Sequence, residues 1–268
     1  MRRREFLKSS LAAASAAGFA TAAKAQAAGT GEKAAREFYE LRIYHLRRGP
    51  KQKLFDDFYG QAAIPVMNRN GIGPVGVFSV MFGPDSPSMY ALLTHKSLES
   101  FSTAYDRLRA DRDYQSAGAE FINAGPGDPS YIRVESSLMM AIEGMPKLEV
   151  PATAADKKPR IFELRTYESH SKKANKKKIE MFNNGEIAIF RRTGLQPVFF
   201  GETLIGAKLP NLTYMLTFEN MPAHDKNWGA FGSDPEWKKL SATPGYTDPE
   251  IVTNISNVFL RPTAYSQV

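Results

Sequence analysis

The sequence predicts an α+β fold in which two tandem βαββαβ units, each the ferredoxin-like arrangement, join their antiparallel sheets into one barrel. Three observations support this prediction. The chain repeats itself once, each repeat shows strand and helix periodicity in the same order, and several predicted strands are apolar on both faces. Helices cover one face of such a sheet, so a second apolar face must also be buried, and the other repeat supplies the cover.

The internal repeat has a period of 123 residues. Segment 40–44, Glu-Leu-Arg-Ile-Tyr, aligns with segment 163–167, Glu-Leu-Arg-Thr-Tyr, and 15 of the 72 positions from 40 to 111 are identical without a gap. A period this long indicates duplicated domains, because solenoid repeats span roughly 20 to 50 residues.

We therefore predict one domain at residues 37–141 and a second at residues 160–265. Residues 142–159 are rich in Pro, Ala, Lys and Glu and show no periodicity, which is typical of a linker.

The elements of the first repeat follow from its local patterns. Alternation predicts a strand at 39–44, and apolar residues at helical spacing predict a helix over 51–70 that ends at Gly71. The remaining predicted elements are a hairpin at 75–82 and 89–94, a helix from Ser97 and a last strand at 131–141.

The second repeat has the same order. Its predicted elements are strands at 162–167, 198–205, 212–218 and 251–260, a helix over 171–193 that ends at Gly194, and a second helix over 221–240. This last helix contains two prolines and two glycines between Pro222 and Pro235, so we predict that it is shorter or broken.

Residues 1–27 resemble a bacterial twin-arginine (Tat) signal peptide. The segment Arg2–Lys8 contains Arg-Arg-x-Phe-Leu-Lys, the Ala-rich stretch 11–23 is mildly apolar, and two cleavage sites of the small-x-small type follow at 23–25 and 25–27. The resemblance implies recognition by the Tat export machinery and a periplasmic or otherwise exported protein. The alternative is an amphipathic N-terminal helix.

The charge balance changes once this segment is set aside. The whole chain carries +7, and removal of residues 1–25 leaves +3, which disfavours nucleic acid as a partner. The chain has no cysteine, which excludes disulfides, thiolate metal sites and cysteine nucleophiles. No stretch approaches the roughly 20 apolar residues of a membrane-spanning helix.

The order Glu-Leu-Arg-x-Tyr, a helix with Arg-x-Gly near its end, and Pro-Val at the next strand resembles the NIPSNAP family in both repeats. Phe199-Phe200 departs from the Gly76-Val77 of the first repeat. The resemblance implies the dimeric α/β-barrel superfamily, which includes cofactor-free monooxygenases, small-molecule degradation enzymes and haem proteins. Two fused repeats complete a pseudo-dimer, so a further homo-oligomer is permitted but not required.

Charged and aromatic residues on the first strand of each repeat are the main candidates for a binding site. Alternation places Glu40, Arg42 and Tyr44 on one face, and we predict that this face points to the enclosed side of the barrel. The second repeat provides the equivalent set, which is Glu163, Arg165 and Tyr167.

Two interpretations of these sets stay open. The arginines can bind a carboxylate or a haem propionate, with Tyr44 or Tyr167 as catalytic candidates. Alternatively, Glu40 pairs with Arg42 and Glu163 with Arg165 across strands, and these pairs only stabilise the barrel.

Other charged residues have local explanations. Arg69 and Arg192 near the ends of the first helices either cap the helix dipole or bind an anion. His45 and His224 are the histidines we consider as haem ligands, and no spacing resembles a metal motif. The lysines of segment 172–178 are predicted to form a solvated face whose neutralisation leaves the fold intact.

Three functions are compatible with these patterns. The first is an exported protein that binds a small apolar or anionic molecule between its two sheets, with haem as a candidate. The second is a cofactor-independent monooxygenase or isomerase of the barrel class. The third is a structural or envelope-interaction protein without a ligand.

Overall fold

The computed structural model describes residues 34–82 and 85–268, and residues 34–268 make up one compact unit. The predicted signal peptide, residues 1–27, lies outside the described residues.

Eight antiparallel strands form a closed barrel in the order β1-β3-β2-β8-β5-β7-β6-β4. The strands are Phe38–His45 (β1), Val75–Val80 (β2), Ser88–His95 (β3), Arg133–Ala141 (β4), Ile161–Glu168 (β5), Gln196–Ile205 (β6), Asn211–Phe218 (β7) and Asn254–Pro262 (β8). The repeats join at two seams, β2 with β8 and β4 with β6. Closure leaves no free sheet edge, and the predicted fold is confirmed.

The first long helix of each repeat contains a π-helical turn. In the first repeat it runs through Lys51–Asp57, the π-helical Phe58–Ala63 and Ile64–Arg69, and the second repeat follows the same plan. The segments of the second are Lys172–Met181, the π-helical Phe182–Glu186 and Ile187–Arg192. Gly71 and Gly194 follow these helices with φ of +73° and +87°, the left-handed conformation expected of a helix-ending glycine.

The second helical region is broken in both repeats, more often in the first. Its segments are Leu98–Ser102, Ala104–Ala110, Arg112–Ala117 and Ala119–Ile122 in the first repeat and Met221–Ser233 and Pro235–Ser241 in the second. Asp111 and Asp234 make equivalent breaks, because each accepts two backbone N–H groups of the helix that follows. The prediction of a broken helix in the second repeat is thus correct, but its two glycines lie within a continuous helix.

The linker and the C-terminal part of the second repeat carry short helices, Ala152–Ala155 and Asp248–Ile251.

The three largest apolar cores divide the molecule into layers. One lies between the sheet and the helices of the first repeat, around Phe55, and a second lies in the corresponding layer of the second repeat, around Phe182. The third fills the barrel itself and combines both repeats, with Tyr39, Phe162 and Phe199 fully buried.

The structure reverses the predicted direction of the Glu-Arg-Tyr sets. Leu41 and Leu164 point into the barrel, whereas Tyr44 belongs to the helix-facing core of the first repeat. The alternation itself is correct, but both faces of the strand are covered. The narrow barrel interior takes the apolar set, while the helix layers hold the hydrogen-bonding partners that the charged set requires.

Candidate functional site

The barrel is filled at one end and open at the other. Strands β1, β2, β5 and β6 end at the open end, which holds a cavity of about 640 Å³. Its apolar wall includes Leu41, Ile43, Leu164 and Val258, and its polar groups come from both repeats. We call this space the barrel-end cavity.

His45 is a buried side chain of the barrel-end cavity with a partner at each ring nitrogen. It is the last residue of β1, and its Nε2 lies 2.9 Å from Glu135 Oε1 while its Nδ1 lies 3.2 Å from Ser88 Oγ. Strand register creates this arrangement, because His45 is opposite Ser88 on β3 and Glu135 is opposite Ile43 on β4. The Ser88 hydroxyl also reaches the backbone carbonyl of Asp85.

A small charge network surrounds the imidazole. Arg133 Nη2 lies 3.0 Å from Asp85 Oδ2, and Arg133 Nε lies 3.1 Å from Glu135 Oε1. The hydrogen bond from Arg133 lowers the pKa of Glu135, against a smaller opposing effect of burial, and His45 adds to the lowering. Glu135 is therefore held as a carboxylate that orients His45.

The half of the cavity that belongs to the second repeat carries Lys208 but has no counterpart of the His45–Glu135 pair. The 123-residue shift places Asn211 where the first repeat has Ser88 and Thr213 where it has Tyr90. Thr213 Oγ1 lies 3.0 Å from Thr166 Oγ1 and donates to Asn211 Oδ1 at 3.1 Å. The cavity thus has an imidazole-carboxylate side and a side that combines hydroxyl and amide groups with Lys208.

The predicted set in the first repeat is a buried ion pair. Arg42 donates to Glu40 through Nε at 2.7 Å and Nη2 at 2.8 Å, and Ser136 donates at 3.0 Å. Burial acts to raise the pKa of Glu40, but interactions with His95, Arg42 and Ser136 outweigh it and lower the pKa to about 2. Tyr44 accepts a hydrogen bond from Tyr59 at 3.0 Å.

The equivalent set in the second repeat is also paired. Glu163 is fully buried and accepts from Arg165 at 2.6 Å, Trp228 Nε1 at 2.9 Å and Asn257 at 2.9 Å. Tyr214 donates to the Tyr167 hydroxyl at 2.9 Å. The two sets lie in separate helix-facing layers and do not meet around one cavity. Each Glu pairs with its Arg as predicted, but within one strand and not across strands.

Arg69 and Arg192 form matching clamps between helices. Arg69 binds Asp111 and Asp113, and Arg192 binds Asp234 and Glu236, with shortest distances of 2.7 Å and 2.6 Å. The anions that these arginines bind are therefore side chains of their own repeat. The hydrogen bond from Arg192 lowers the pKa of Asp234 to about 2.

Neither candidate histidine fits an axial haem ligand. Both ring nitrogens of His45 have partners within the chain. His224 lies in the helix layer outside the barrel, with Nδ1 2.8 Å from Asp225 and Nε2 3.3 Å from Glu163. Within residues 34–82 and 85–268, no cluster of three His, Asp or Glu side chains is arranged to hold a metal ion.

The lysine segment is only partly a solvated face. Lys172, Lys173 and Lys176 are exposed, but Lys178 is 1% exposed and lies 3.2 Å from the equally buried Glu186. The prediction of a solvated face is wrong for Lys178. The alignment of the two repeats indicates that this position is buried, because Phe55, a core residue of the first repeat, aligns with Lys178.

Fold and cavity together define a class, a dimeric α/β barrel contained in a single chain. A proposed monooxygenase from Lactobacillus acidophilus aligns over 85% of this chain and 94% of its own, with a TM-score of 0.58 and 7% identity. A proposed monooxygenase from Fusobacterium nucleatum aligns over 85% and 93%, with a TM-score of 0.51 and 10% identity. Likeness at this identity shows the fold alone.

The family model for NIPSNAP matches residues 39–125 and 162–267, and the chain belongs to the NIPSNAP family. A NIPSNAP-like domain protein from Burkholderia xenovorans is 20% identical over 40% of this chain and 88% of its own, with a TM-score of 0.36. No curated protein matches the chain. Among the described residues, no helix has the length and apolar character needed to cross a membrane.

Proposed function

We propose that this NIPSNAP protein binds a small, partly apolar molecule in the barrel-end cavity. The observation that supports the proposal is a volume of about 640 Å³ beside an imidazole that Glu135 and Ser88 hold in place. Ligand pockets in proteins typically measure about 300 to 1,000 Å³ and combine an apolar wall with a few positioned polar groups.

The two sides of the cavity define the ligand class. An apolar body packs against Ile43, Leu164 and Val258, and hydroxyl or carbonyl groups meet Thr166 and Thr213 on the side of the second repeat. Haem is not part of the proposal, because the residues around the cavity offer no histidine nitrogen without a partner in the chain.

The test fills the cavity and measures binding of the apolar fluorescent probe N-phenyl-1-naphthylamine. Ile43→Trp and Thr166→Trp place an indole in the cavity, and Leu98→Trp, at an exposed site outside it, is the matched control. We expect saturable binding by the wild type and the control and at least about tenfold weaker binding by the two filled variants. Circular dichroism checks that each variant folds, and equal binding by folded filled variants refutes the proposal.

A second candidate, favoured by the His45–Glu135 contact, is a cofactor-independent oxygenase or isomerase. A carboxylate-oriented imidazole can accept a proton from an acidic C–H or O–H group, once a substrate displaces Ser88 from Nδ1. In the oxygenase version, an activated CH₂ group and O₂ give a carbonyl group and water. Tyr44 and Tyr167 do not line the cavity, so the proton acceptor in this proposal is His45.

Oxygen consumption with the anthrone dithranol as probe substrate tests this candidate. We expect turnover by the wild type and loss of at least about 100-fold in His45→Gln, since general-base catalysis contributes roughly 10² to 10⁴. Equal turnover by wild type and variant contradicts the candidate.

Export is a separate proposal that rests on residues 1–27. Replacement of Arg3 and Arg4, the arginine pair of the motif, by Lys should retain the protein in the cytoplasm, measured by cell fractionation. Unchanged export of that variant contradicts Tat recognition.

A further inference from the structure

Exposed apolar side chains concentrate around the mouth of the barrel-end cavity. Phe82 follows β2 and is 84% exposed, Ile205 ends β6 and is 65% exposed, and Leu209 in the β6–β7 turn is 50% exposed. Ile132 precedes β4, where its N–H donates to the His45 carbonyl, and Ile255 is the second residue of β8. We call these five residues the mouth rim.

Position in the barrel explains why these residues form one surface. Strands β1, β2, β5 and β6 end at the mouth, and the other four strands begin there. Other exposed large apolar residues, such as Leu98 and Met221, follow the ends of β3 and β7 and therefore lie at the opposite end.

Unpaired cations accompany the mouth rim. Arg47 and Arg48 follow β1, and Lys172 and Lys173 follow β5; all four are exposed, and none forms an ion pair with another described residue. Lys208 projects from the β6–β7 turn, 4.0 Å from Glu168.

Nearby carboxylates are already engaged. Asp85 pairs with Arg133 at 3.0 Å, Asp128 pairs with Lys51 at 2.7 Å, and Glu250 accepts from Thr247. Arg47, Arg48, Lys172 and Lys173 are therefore the charges at this end of the barrel that have no ion-pair partner among the described residues, whereas Asp85 and Asp128 already pair with cations.

We propose that the mouth rim docks on the surface of an anionic lipid bilayer. Apolar side chains surrounded by Lys and Arg match the layered chemistry of such a surface, where phosphates lie outside the acyl chains. A second copy of this chain fits less well, because a two-fold contact through the rim brings the same cations of both copies together. Docking turns the cavity mouth toward the acyl chains, but it does not depend on ligand binding in the cavity.

Sedimentation with lipid vesicles tests the proposal. The full chain is mixed with vesicles of phosphatidylcholine alone or of equal parts phosphatidylcholine and phosphatidylglycerol. We expect binding to the anionic vesicles only, weakened by salt. Since residues 1–33 are common to all variants, differences between variants report on the barrel.

One variant of the cations, one variant of the mouth rim and one control separate the contributions of charge and of apolar contact to vesicle binding. Lys172→Gln with Lys173→Gln should weaken binding by roughly fivefold for each cation. Ile205→Ser with Leu209→Ser should weaken it at least about tenfold, because this change removes two apolar side chains from the docked surface. Leu98→Ser with Met221→Ser, two exposed apolar residues at the opposite end, should bind as wild type.

Two outcomes overturn the proposal. One is equal vesicle binding by the cation variant, the mouth-rim variant and the control. The other is a wild-type dimer in size-exclusion chromatography that Ile205→Ser with Leu209→Ser converts to monomer, which assigns the rim to a second copy of the chain.

Discussion

Removal of one partner of the buried Lys178–Glu186 pair should destabilise the protein far more than removal of both. Each side chain is 1% exposed, their charged atoms lie 3.2 Å apart, and Lys178 Nζ also lies 5.0 Å and 5.1 Å from the ring centroids of Tyr167 and Phe182. Loss of one partner of such a pair typically costs about 3–5 kcal/mol, because the other charge stays buried without compensation.

The first repeat shows that the same layer can be apolar. Phe55 and Ala63 occupy the positions of Lys178 and Glu186, and both are fully buried. We therefore expect Lys178→Met to cost about 3–5 kcal/mol and Glu186→Leu somewhat less, since the aromatic rings still stabilise the lysine. The double variant should lie within about 1–2 kcal/mol of wild type.

Urea unfolding of the four proteins measures these differences as a double-mutant cycle. The pH dependence gives an independent check. Burial raises the pKa of Glu186, despite the opposing charge of Lys178, so this group binds protons more readily in the folded state. Its contribution to stability falls as pH rises through the folded-state pKa.

Without Lys178 the rise in the pKa of Glu186 should be larger, so the stability deficit of Lys178→Met should shrink as pH falls toward the ordinary glutamate pKa of 4.5. Additive costs of the two single variants, or a deficit independent of pH, would refute the reasoning.

Two further predictions concern the paired carboxylates. Glu40 has a pKa of about 2, below the ordinary 4.5, so its ion pair contributes stability that is lost as pH falls through that window. The lowered pKa corresponds to about 3 kcal/mol of stability. In a circular-dichroism titration, Glu40→Gln should therefore lose less stability than wild type as pH falls. The same dependence of unfolding on pH in Glu40→Gln and in wild type contradicts this role. Asp111→Ala and Asp234→Ala each remove a helix cap and an arginine partner, so both should lower the melting temperature in calorimetry, while Asp156→Ala, at an exposed linker site, should not. Equal melting temperatures of all three variants contradict the clamp.

The sequence predicts the fold well because its signals are local and occur twice. The repeated motif at 40–44 and 163–167, the helical spacing before Gly71 and Gly194, and the turns between strands each report on a few neighbouring residues. Barrel closure then follows from strands that are apolar on both faces.

Local signals do not predict which face of the first strand points into the barrel. Alternation separates Glu40 and Arg42 from Leu41 and Ile43, but helices cover one face and the other repeat covers the second. Which layer supplies hydrogen-bond partners depends on distant residues such as Trp228 and Asn257.

The barrel-end cavity depends on strand register for the same reason. His45 is a candidate from the sequence, yet Ser88 and Glu135 lie far along the chain and meet it only through the pairing of β1 with β3 and β4. The repeat comparison holds a partial signal, since the second repeat has Glu168 and Asn211 in place of His45 and Ser88.

The central claim is that the binding site lies inside the barrel and not between the sheets and their helices. A crystal structure of the protein with N-phenyl-1-naphthylamine tests it most directly. We predict electron density for the probe in the barrel-end cavity, in contact with Ile43 and Thr166 and close to His45. Density in a helix-facing layer beside Arg42 or Arg165, with the barrel-end cavity closed, would contradict the account.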